Sequence, residues 1–178
     1  NTDLIILKST VEIGTTSKLI SMHPSLNIVF SPEFAGESTY WSEYKFHNSV
    51  VETPWFIFGG EPNNTKKAVE LYMKVGGPTK KYLQCTTDEA EMTKYLTNTF
   101  YAMKVLFCYE MNEICEASNI DYNKVRELWL NDPRVSPMHT SVFSDNNYPF
   151  SGKCFPKDVN ALNEYSNKVG YDSKLINE

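Results

Sequence analysis

Residues 88–117 read DEAEMTKYLTNTFYAMKVLFCYEMNEICEA, and this stretch decides the fold of the chain. It contains neither glycine nor proline, and Asp88 with Glu91 fits the capping box of a helix N-terminus. The pattern predicts one helix over this stretch, about 45 Å long at about 1.5 Å per residue. Apolar side chains occur on nearly every side of it, so several neighbours must cover it. A chain of 178 residues can hardly provide that cover, and we therefore expect a homodimer through the long helix 88–117.

The residues on either side of this helix predict the rest of the fold. Before it, short apolar segments alternate with helical patterns, and such alternation predicts an α/β domain with a mostly parallel sheet. The predicted strands are 3–8, 27–30, 55–58 and 82–85, and the predicted helices are 16–22 and 64–75. After it we expect helices over 122–130 and 156–169. Between them we expect a long polar loop over 132–151, and ordered loops of this length are often functional.

Composition excludes several classes of protein. Apolar residues make up 41% and charged residues 22% of the chain, and the net charge is −5. Such values are typical of a globular domain and indicate no nucleic-acid partner. No apolar run is long enough for a membrane span, and the sequence predicts no signal peptide. The chain starts without Met and stops within an apolar pattern, so we expect a fragment of a longer protein.

The four cysteines are Cys85, Cys108, Cys115 and Cys154. None forms a CxxC pair and the histidines lie far apart, so no metal site is predicted. Cys108 and Cys115 are seven residues apart in a helical pattern and should face one side as buried free thiols. This cysteine usage favours the cytoplasm.

Cys154 lies in the stretch SGKCFPKD, residues 151–158. Pro156 suits the first turn of a helix, which places Cys154 just ahead of a helix N-terminus. The amides there and the charges of Lys153 and Lys157 favour a thiolate, as a nucleophile requires. A packed cysteine between two solvated lysines fits equally well. Asp158, near the third helical position, is either a capping carboxylate or a partner for a water or a lysine beside the thiol.

Five further side chains are candidates for a functional site. Lys94 and Asn98 share a helix face, as part of a solvated stripe or as two donors for a developing oxyanion. Glu33 and Glu37, in SPEFAGEST, follow a strand end, where α/β sheets place ligands, and are solvated or act as a general base. Thr10, in LKSTVEIGTT, follows another strand end and could bind a ligand or a water.

Taken together and in order, these motifs resemble the UDP-glucose/GDP-mannose dehydrogenase family. The motifs are LKSTVEIGTT, SPEFAGEST, AEMTKYLTNTFYAMKVLFCYEMNEICE, NDPRV and SGKCFPKDVNAL. The resemblance implies that residues 1–87 are the C-terminal part of a Rossmann-like NAD-binding domain. Residues 88–178 would be the central helical dimerisation domain with the catalytic cysteine. The chain has no GxGxxG fingerprint, so the piece alone should bind NAD poorly.

The resemblance also implies a reaction, the oxidation of the C6 hydroxyl of a nucleotide sugar to a carboxylate by two NAD. Cys154 resembles the nucleophile that captures the aldehyde as a thiohemiacetal and then carries a thioester. Lys94 and Asn98 match the groups that stabilise the oxyanion. Asp158 matches the aspartate that works with a water and that lysine, and Glu33 matches the carboxylate of thioester hydrolysis.

Binding residues follow from the same resemblance. Thr10 matches the threonine that positions a water, and Arg134 matches an arginine that reaches the substrate of the partner subunit. The remaining residues expected along the nucleotide sugar are Phe34, Ala35, Gly36, Glu37, Phe150, Ser151 and Gly152. The residues expected to contact NAD are Thr10, Glu37 and Lys157.

The segment PEF…E is similar to that of the UDP-glucose and GDP-mannose enzymes rather than that of relatives acting on N-acetylated sugars. We expect UDP-glucose, the commoner activity, with GDP-mannose as the alternative. Ser151-Gly152-Lys153 stands where the family usually has Gly-Gly-Ser, and Glu12 where it often has Pro. The loop before Cys154 is also longer than usual, and these departures bear on the choice of substrate. Two other readings are a catalytically incomplete dimerisation fragment and a hydroxyacid dehydrogenase with the same layout.

Overall fold

The computed structural model describes residues 4–34, 49, 51–142 and 154–176. The helices and strands run, in chain order, β1 (Ile5–Leu7), α1 (Thr15–Met22), β2 (Ile28–Phe30), β3 (Trp55–Gly59), α2 (Pro62–Gly76), β4 (Lys81–Cys85), α3 (Thr87–Ala117), α4 (Tyr122–Trp129) and α5 (Cys154–Lys168). Each predicted element is present, with its ends within two residues of the prediction. The chain divides into two compact units, residues 1–95 and residues 96–178.

The first unit is built on a sheet with the strand order β1-β2-β3-β4. β1 pairs with β2 in parallel, and β3 pairs with β4 in parallel from Trp55 opposite Lys81 to Gly59 opposite Cys85. β2 and β3 meet through one antiparallel pair, Phe30 opposite Gly59. The predicted mostly parallel α/β sheet is confirmed, with this central antiparallel contact as the exception.

Both faces of this sheet are covered. Successive residues of a strand point to opposite faces, so Val29 and Phe58 pack with Ala68 of α2 on one face. Phe30 and Ile57 pack with Ala90 of α3 on the other face. The first turns of α3 therefore belong to the core of the first unit.

The N-terminal cap of α3 differs from the prediction. Thr86 and Glu89 form the capping box: the Thr86 backbone N–H donates to Glu89 Oε2 (2.8 Å), and the Glu89 N–H donates to Thr86 Oγ1 (3.3 Å). The Thr86 hydroxyl also donates to Glu89 Oε2 (2.8 Å), and the two hydrogen bonds that this carboxylate accepts from Thr86 lower the pKa of Glu89. The prediction of an Asp88–Glu91 box was wrong because Glu91 binds elsewhere and Asp88 accepts from Ser17 Oγ (2.6 Å).

Glu91 instead closes the N-terminus of α1. Its buried carboxylate accepts from the Gly14 N–H (2.6 Å), the Thr16 N–H (2.9 Å) and Thr16 Oγ1 (2.6 Å). Gly14, the N-cap of α1, has no side chain that could accept from these amides. One turn further along α3, the Tyr95 hydroxyl donates to the Val11 carbonyl (3.1 Å). α3 thereby fixes the loop between β1 and α1, which carries Thr10.

The second unit has a small core where α3 meets α4. Cys108 and Cys115 of α3 pack with Tyr122 of α4, so the prediction that the two thiols are buried on one side is confirmed. The Tyr122 hydroxyl donates to the Thr140 carbonyl (2.9 Å). Burial first, and then the neighbouring Cys108 thiol, raise the pKa of Tyr122 above its ordinary value.

The last helix starts earlier than predicted. α5 begins at Cys154 itself, so Cys154 does not precede the helix and Asp158 is its fifth residue. The prediction placed Pro156 at the very start of the helix. Proline is tolerated throughout the first turn, because the N–H groups there have no partner within the helix.

Candidate functional site

The strand ends of the first unit bring three of the predicted residues together. The Lys94 ammonium donates to the Glu33 carbonyl oxygen (2.7 Å) and lies 5.2 Å from the centre of the Phe34 ring. Glu33 and Phe34 follow β2, and Lys94 lies in the second turn of α3. Lys94 is therefore directed at the strand end, and the reading of Lys94 as part of a solvated stripe is wrong. Thr10 is half-buried in the loop after β1.

Lys8, the residue that directly follows β1, belongs to this strand end although it was not predicted to do so. Its ammonium lies 3.7 Å from Glu33 Oε2, and both side chains are partly exposed. A pair at this distance in solvent contributes little stability. Its effect is to give the Glu33 carboxylate a cation on the sheet edge where α/β folds bind ligands. The signal for Lys8 was the one used for Thr10, a polar residue just after a strand.

Asn98 and Asp158 form a buried pair in the second unit. Asn98 Nδ2 donates to Asp158 Oδ2 (2.5 Å), and the exposed fractions of the two residues are 7% and 1%. The reading of Asn98 as a solvated residue is therefore wrong. The Lys157 ammonium forms an ion pair with Asp158 Oδ1 at 2.8 Å, and Oδ1 accepts no hydrogen bond from the described residues.

Cys154 is exposed at the first position of α5. The reading of Cys154 as a packed cysteine is therefore wrong. Its thiol belongs to the first helical turn, where unpaired backbone N–H groups and the helix dipole favour an anion. Asp158 follows four residues later, one turn along the same helix. The second unit thus combines an exposed thiol with a buried carboxylate held by an amide.

Arg134 is held by its near neighbour Asp132. Arg134 Nε donates to Asp132 Oδ1 (2.9 Å) and an Arg134 terminal nitrogen donates to Oδ2 (2.6 Å). The backbone N–H of Arg134 also donates to Oδ1 (3.0 Å). These bonds from Arg134 lower the pKa of the Asp132 carboxyl. The Arg134 side chain is still 87% exposed, so the guanidinium is accessible to an anion.

The remaining predicted contacts lie outside the described residues. They are Ala35, Gly36, Glu37, Phe150, Ser151 and Gly152. Lys157, predicted to contact NAD, is described and exposed, and its contact is the one with Asp158.

Comparison with known proteins identifies the second half of the chain. Residues 88–178, about half of the chain, match the model of the UDP-glucose/GDP-mannose dehydrogenase family, central domain. UDP-glucose 6-dehydrogenase YwqF of Bacillus subtilis is 30% identical over 181 residues, which cover 97% of this chain and 38% of that protein. The chain thus spans about two fifths of the length of this relative.

Solved structures share the fold. A UDP-glucose dehydrogenase from the archaeon Pyrobaculum islandicum superposes with a TM-score of 0.80 at 24% identity, over 98% of this chain and 39% of that one. A 3-hydroxyisobutyrate dehydrogenase of Mycobacterium tuberculosis superposes with a TM-score of 0.69 at 16% identity, over 98% of this chain and 61% of that one. The described helices include none long and apolar enough to cross a membrane.

Proposed function

Because the chain belongs to the UDP-glucose/GDP-mannose dehydrogenase family, we propose that the protein containing it oxidises a nucleotide sugar at C6 to the uronic acid. UDP-glucose is the proposed substrate and NAD the oxidant. The proposal rests on an arrangement of residues in the second unit: Cys154 is exposed at the start of α5, and the buried Asn98–Asp158 pair lies one turn away. Burial of a carboxylate is costly unless it is paired or hydrogen-bonded, and this one lies one helical turn from an exposed thiol.

The residues of this chain fit a dinucleotide at the ends of β1 and β2. Ser31, directly after β2, has a fully buried hydroxyl with no partner among the described residues, and Thr10 is half-buried after β1. Hydroxyl groups at this edge suit a ligand rich in hydroxyls and phosphates. When bound, NAD accepts the hydride from the sugar carbon at each of the two oxidations.

The chemistry that the chain supplies is capture and release of the oxidised carbon. The Cys154 sulfur forms a bond to the aldehyde carbon, and the carbonyl electrons move onto oxygen, where the donors Lys94 and Asn98 stabilise the negative charge. Removal of a hydride from that carbon gives a thioester. Water, with Glu33 and Asp158 in the proposed base roles, then adds to the carbon. The carbon–sulfur bond breaks, and the acid leaves with the cysteine restored.

The test is oxidation of a substrate panel by the complete polypeptide that contains this chain. NADH formation is followed with UDP-glucose, GDP-mannose and an N-acetylated nucleotide sugar, and we expect the highest kcat/KM with UDP-glucose. Preference for GDP-mannose would retain the family but change the substrate. A protein inert with all three would overturn the proposed activity and leave the dimerisation role as the function of this chain.

A homodimer through α3 is the second part of the proposal. Leu96, Phe100, Phe107 and Ile114 follow one another at spacings of four, seven and seven residues, which puts them on one helix face. Their exposed fractions run from 48% to 65%, and a contiguous exposed apolar stripe marks an interaction surface. Sedimentation velocity should show a dimer that Phe107→Glu dissociates. Val75→Glu, which also replaces an exposed apolar side chain by a carboxylate but lies on α2, is the control.

We also place the protein in the cytoplasm. The four cysteines, all within the described residues, are free thiols, as is usual in a reducing compartment. The proposed nucleophile requires this state, because a disulfide at Cys154 would prevent attack on the substrate.

A further inference from the structure

The turn of residues 136–140, between α4 and α5, is fixed by hydrogen bonds from two helices. Lys104 of α3 donates to the Ser136 carbonyl (2.5 Å). From α4, Arg126 Nε donates to Thr140 Oγ1 (2.7 Å), and the Tyr122 hydroxyl donates to the Thr140 carbonyl (2.9 Å). Thr140 is fully buried. The 136–140 turn is therefore a rigid part of the second unit, although it contains no helix or strand.

His139 adopts an unusual backbone conformation within this turn. Its φ is +62°, in the left-handed region that costs free energy for a residue with a Cβ atom. Thr140 Oγ1 donates to the Pro137 carbonyl (2.7 Å), which closes the turn around it. A strained residue persists only where its surroundings over-determine it, so the backbone of His139 is held in place by the turn.

The imidazole of His139 lies between two aromatic rings from different helices. Its ring centre is 4.7 Å from that of Tyr101 on α3 and 5.4 Å from that of Phe155 on α5, the latter edge-on at 64°. Phe155 is the residue directly after Cys154. The 136–140 turn therefore contacts Phe155, the residue of α5 that directly follows the exposed Cys154.

We propose that His139 is a positioning residue for the Cys154 thiol: its ring packs on Phe155 and fixes the first turn of α5. Helix ends fray more readily than the middle of a helix, so a packing contact on the first turn stabilises it. The Asn98–Asp158 hydrogen bond holds the second turn (2.5 Å), and the His139–Phe155 contact holds the first. The role of this placement in catalysis depends on the proposed function, whereas the placement itself does not.

Substitutions at position 139 separate the ring from the backbone strain. His139→Asn keeps a residue that tolerates positive φ and removes the aromatic ring, and His139→Gly relieves the strain and also removes the ring. His139→Phe keeps an aromatic ring and the strain. His23→Asn, at an exposed histidine after α1, is the matched control for loss of an imidazole. All four are made in the complete polypeptide, and circular dichroism checks that each one folds.

Two readouts are measured for each variant, steady-state kinetics with UDP-glucose and NAD, and the alkylation rate of Cys154 by iodoacetamide, resolved by peptide mass spectrometry. For the two variants without a ring we expect kcat to fall on the order of tenfold to a hundredfold, with KM for the sugar unchanged. We expect Cys154 alkylation to slow several-fold, because the thiol loses its fixed place at the helix N-terminus. His139→Phe and His23→Asn should retain both.

The outcomes are distinct. Unchanged kcat and alkylation in His139→Asn and His139→Gly would overturn the proposal, as would a loss in His139→Phe as large as in His139→Asn. If the complete protein oxidises no nucleotide sugar, the proposed function fails by itself. The alkylation rates then decide the placement: slower alkylation in both ringless variants supports it, and equal or faster alkylation overturns it.

Discussion

Glu91→Gln tests how the first unit holds the loop that carries Thr10. The substitution keeps the size of the side chain and removes its charge. The glutamine oxygen can still accept from the Thr16 N–H and hydroxyl, while its NH₂ group then faces the Gly14 N–H, now 2.6 Å from Glu91 Oε2. The variant loses one charge-assisted hydrogen bond, and its NH₂ group and the Gly14 N–H become two donors that face each other without an acceptor.

A hydrogen bond to a charged group contributes about 1.5–3 kcal/mol, and an unsatisfied buried donor costs about 1–3 kcal/mol. The two contributions describe the same lost contact here and are not added. We therefore expect Glu91→Gln to lower the free energy of unfolding by about 2 kcal/mol. Urea denaturation followed by circular dichroism measures this, with Glu70→Gln on the exposed face of α2 as the control that should change little. A loss for Glu91→Gln no larger than that of Glu70→Gln would refute the view that Glu91 caps α1.

Two further predictions concern the cores of the two units. A Cβ at residue 59 would lie 2.6 Å from the Ala90 Cβ and 2.7 Å from the Thr86 carbonyl oxygen, so Gly59→Ala should cost about 1–3 kcal/mol by overpacking against α3. Gly170→Ala meets no atom within 4 Å and bears only the left-handed strain of a residue at a helix C-terminus, about 1–2 kcal/mol; a smaller loss at 59 than at 170 would contradict the packing. In the folded protein the pKa of Tyr122 is raised above its ordinary value of 10.0. The contribution of this group to stability is therefore complete below pH 10.0 and is lost as the pH rises toward the folded pKa. The free energy of unfolding should thus fall above about pH 10, by up to about 1.4 kcal/mol per pH unit for this group. Tyr122→Phe should remove this part of the fall. An identical pH profile in the variant would contradict the burial of this hydroxyl.

The fold could be predicted because its signals are local. Helix α3 was predicted from thirty residues without glycine or proline, and the strands from apolar segments bounded by turn residues. The pairing of β2 with β3 was not predictable in its direction, because the antiparallel contact consists of one pair, Phe30 with Gly59. The direction of so short a contact depends on the course of the chain between the strands.

The candidate residues could be named from the sequence, whereas their contacts could not. Local rules placed Cys154 at a helix start, and the order of the motifs indicated the roles of Lys94, Asn98 and Asp158. The carboxylate of Glu91 was assigned to the wrong partner because its true partners lie 75 and 77 residues away in sequence. Local capping rules cannot see such a pairing. The contact of His139 with Phe155 escaped prediction for the same reason, since it depends on how the 136–140 turn is folded.

The central claim is that Cys154 carries the oxidised sugar. The most direct test is the yield of NADH per UDP-glucose consumed by the complete polypeptide and by its Cys154→Ser variant. Oxidation of an alcohol to a carboxylate removes four electrons, and each NAD accepts two, so we predict two NADH per sugar for the unsubstituted protein. For Cys154→Ser we predict near-complete loss of turnover, because a serine hydroxyl is a far weaker nucleophile than a thiolate. Turnover by Cys154→Ser at the unsubstituted rate would contradict the thioester mechanism and favour a dehydrogenase that needs no covalent intermediate.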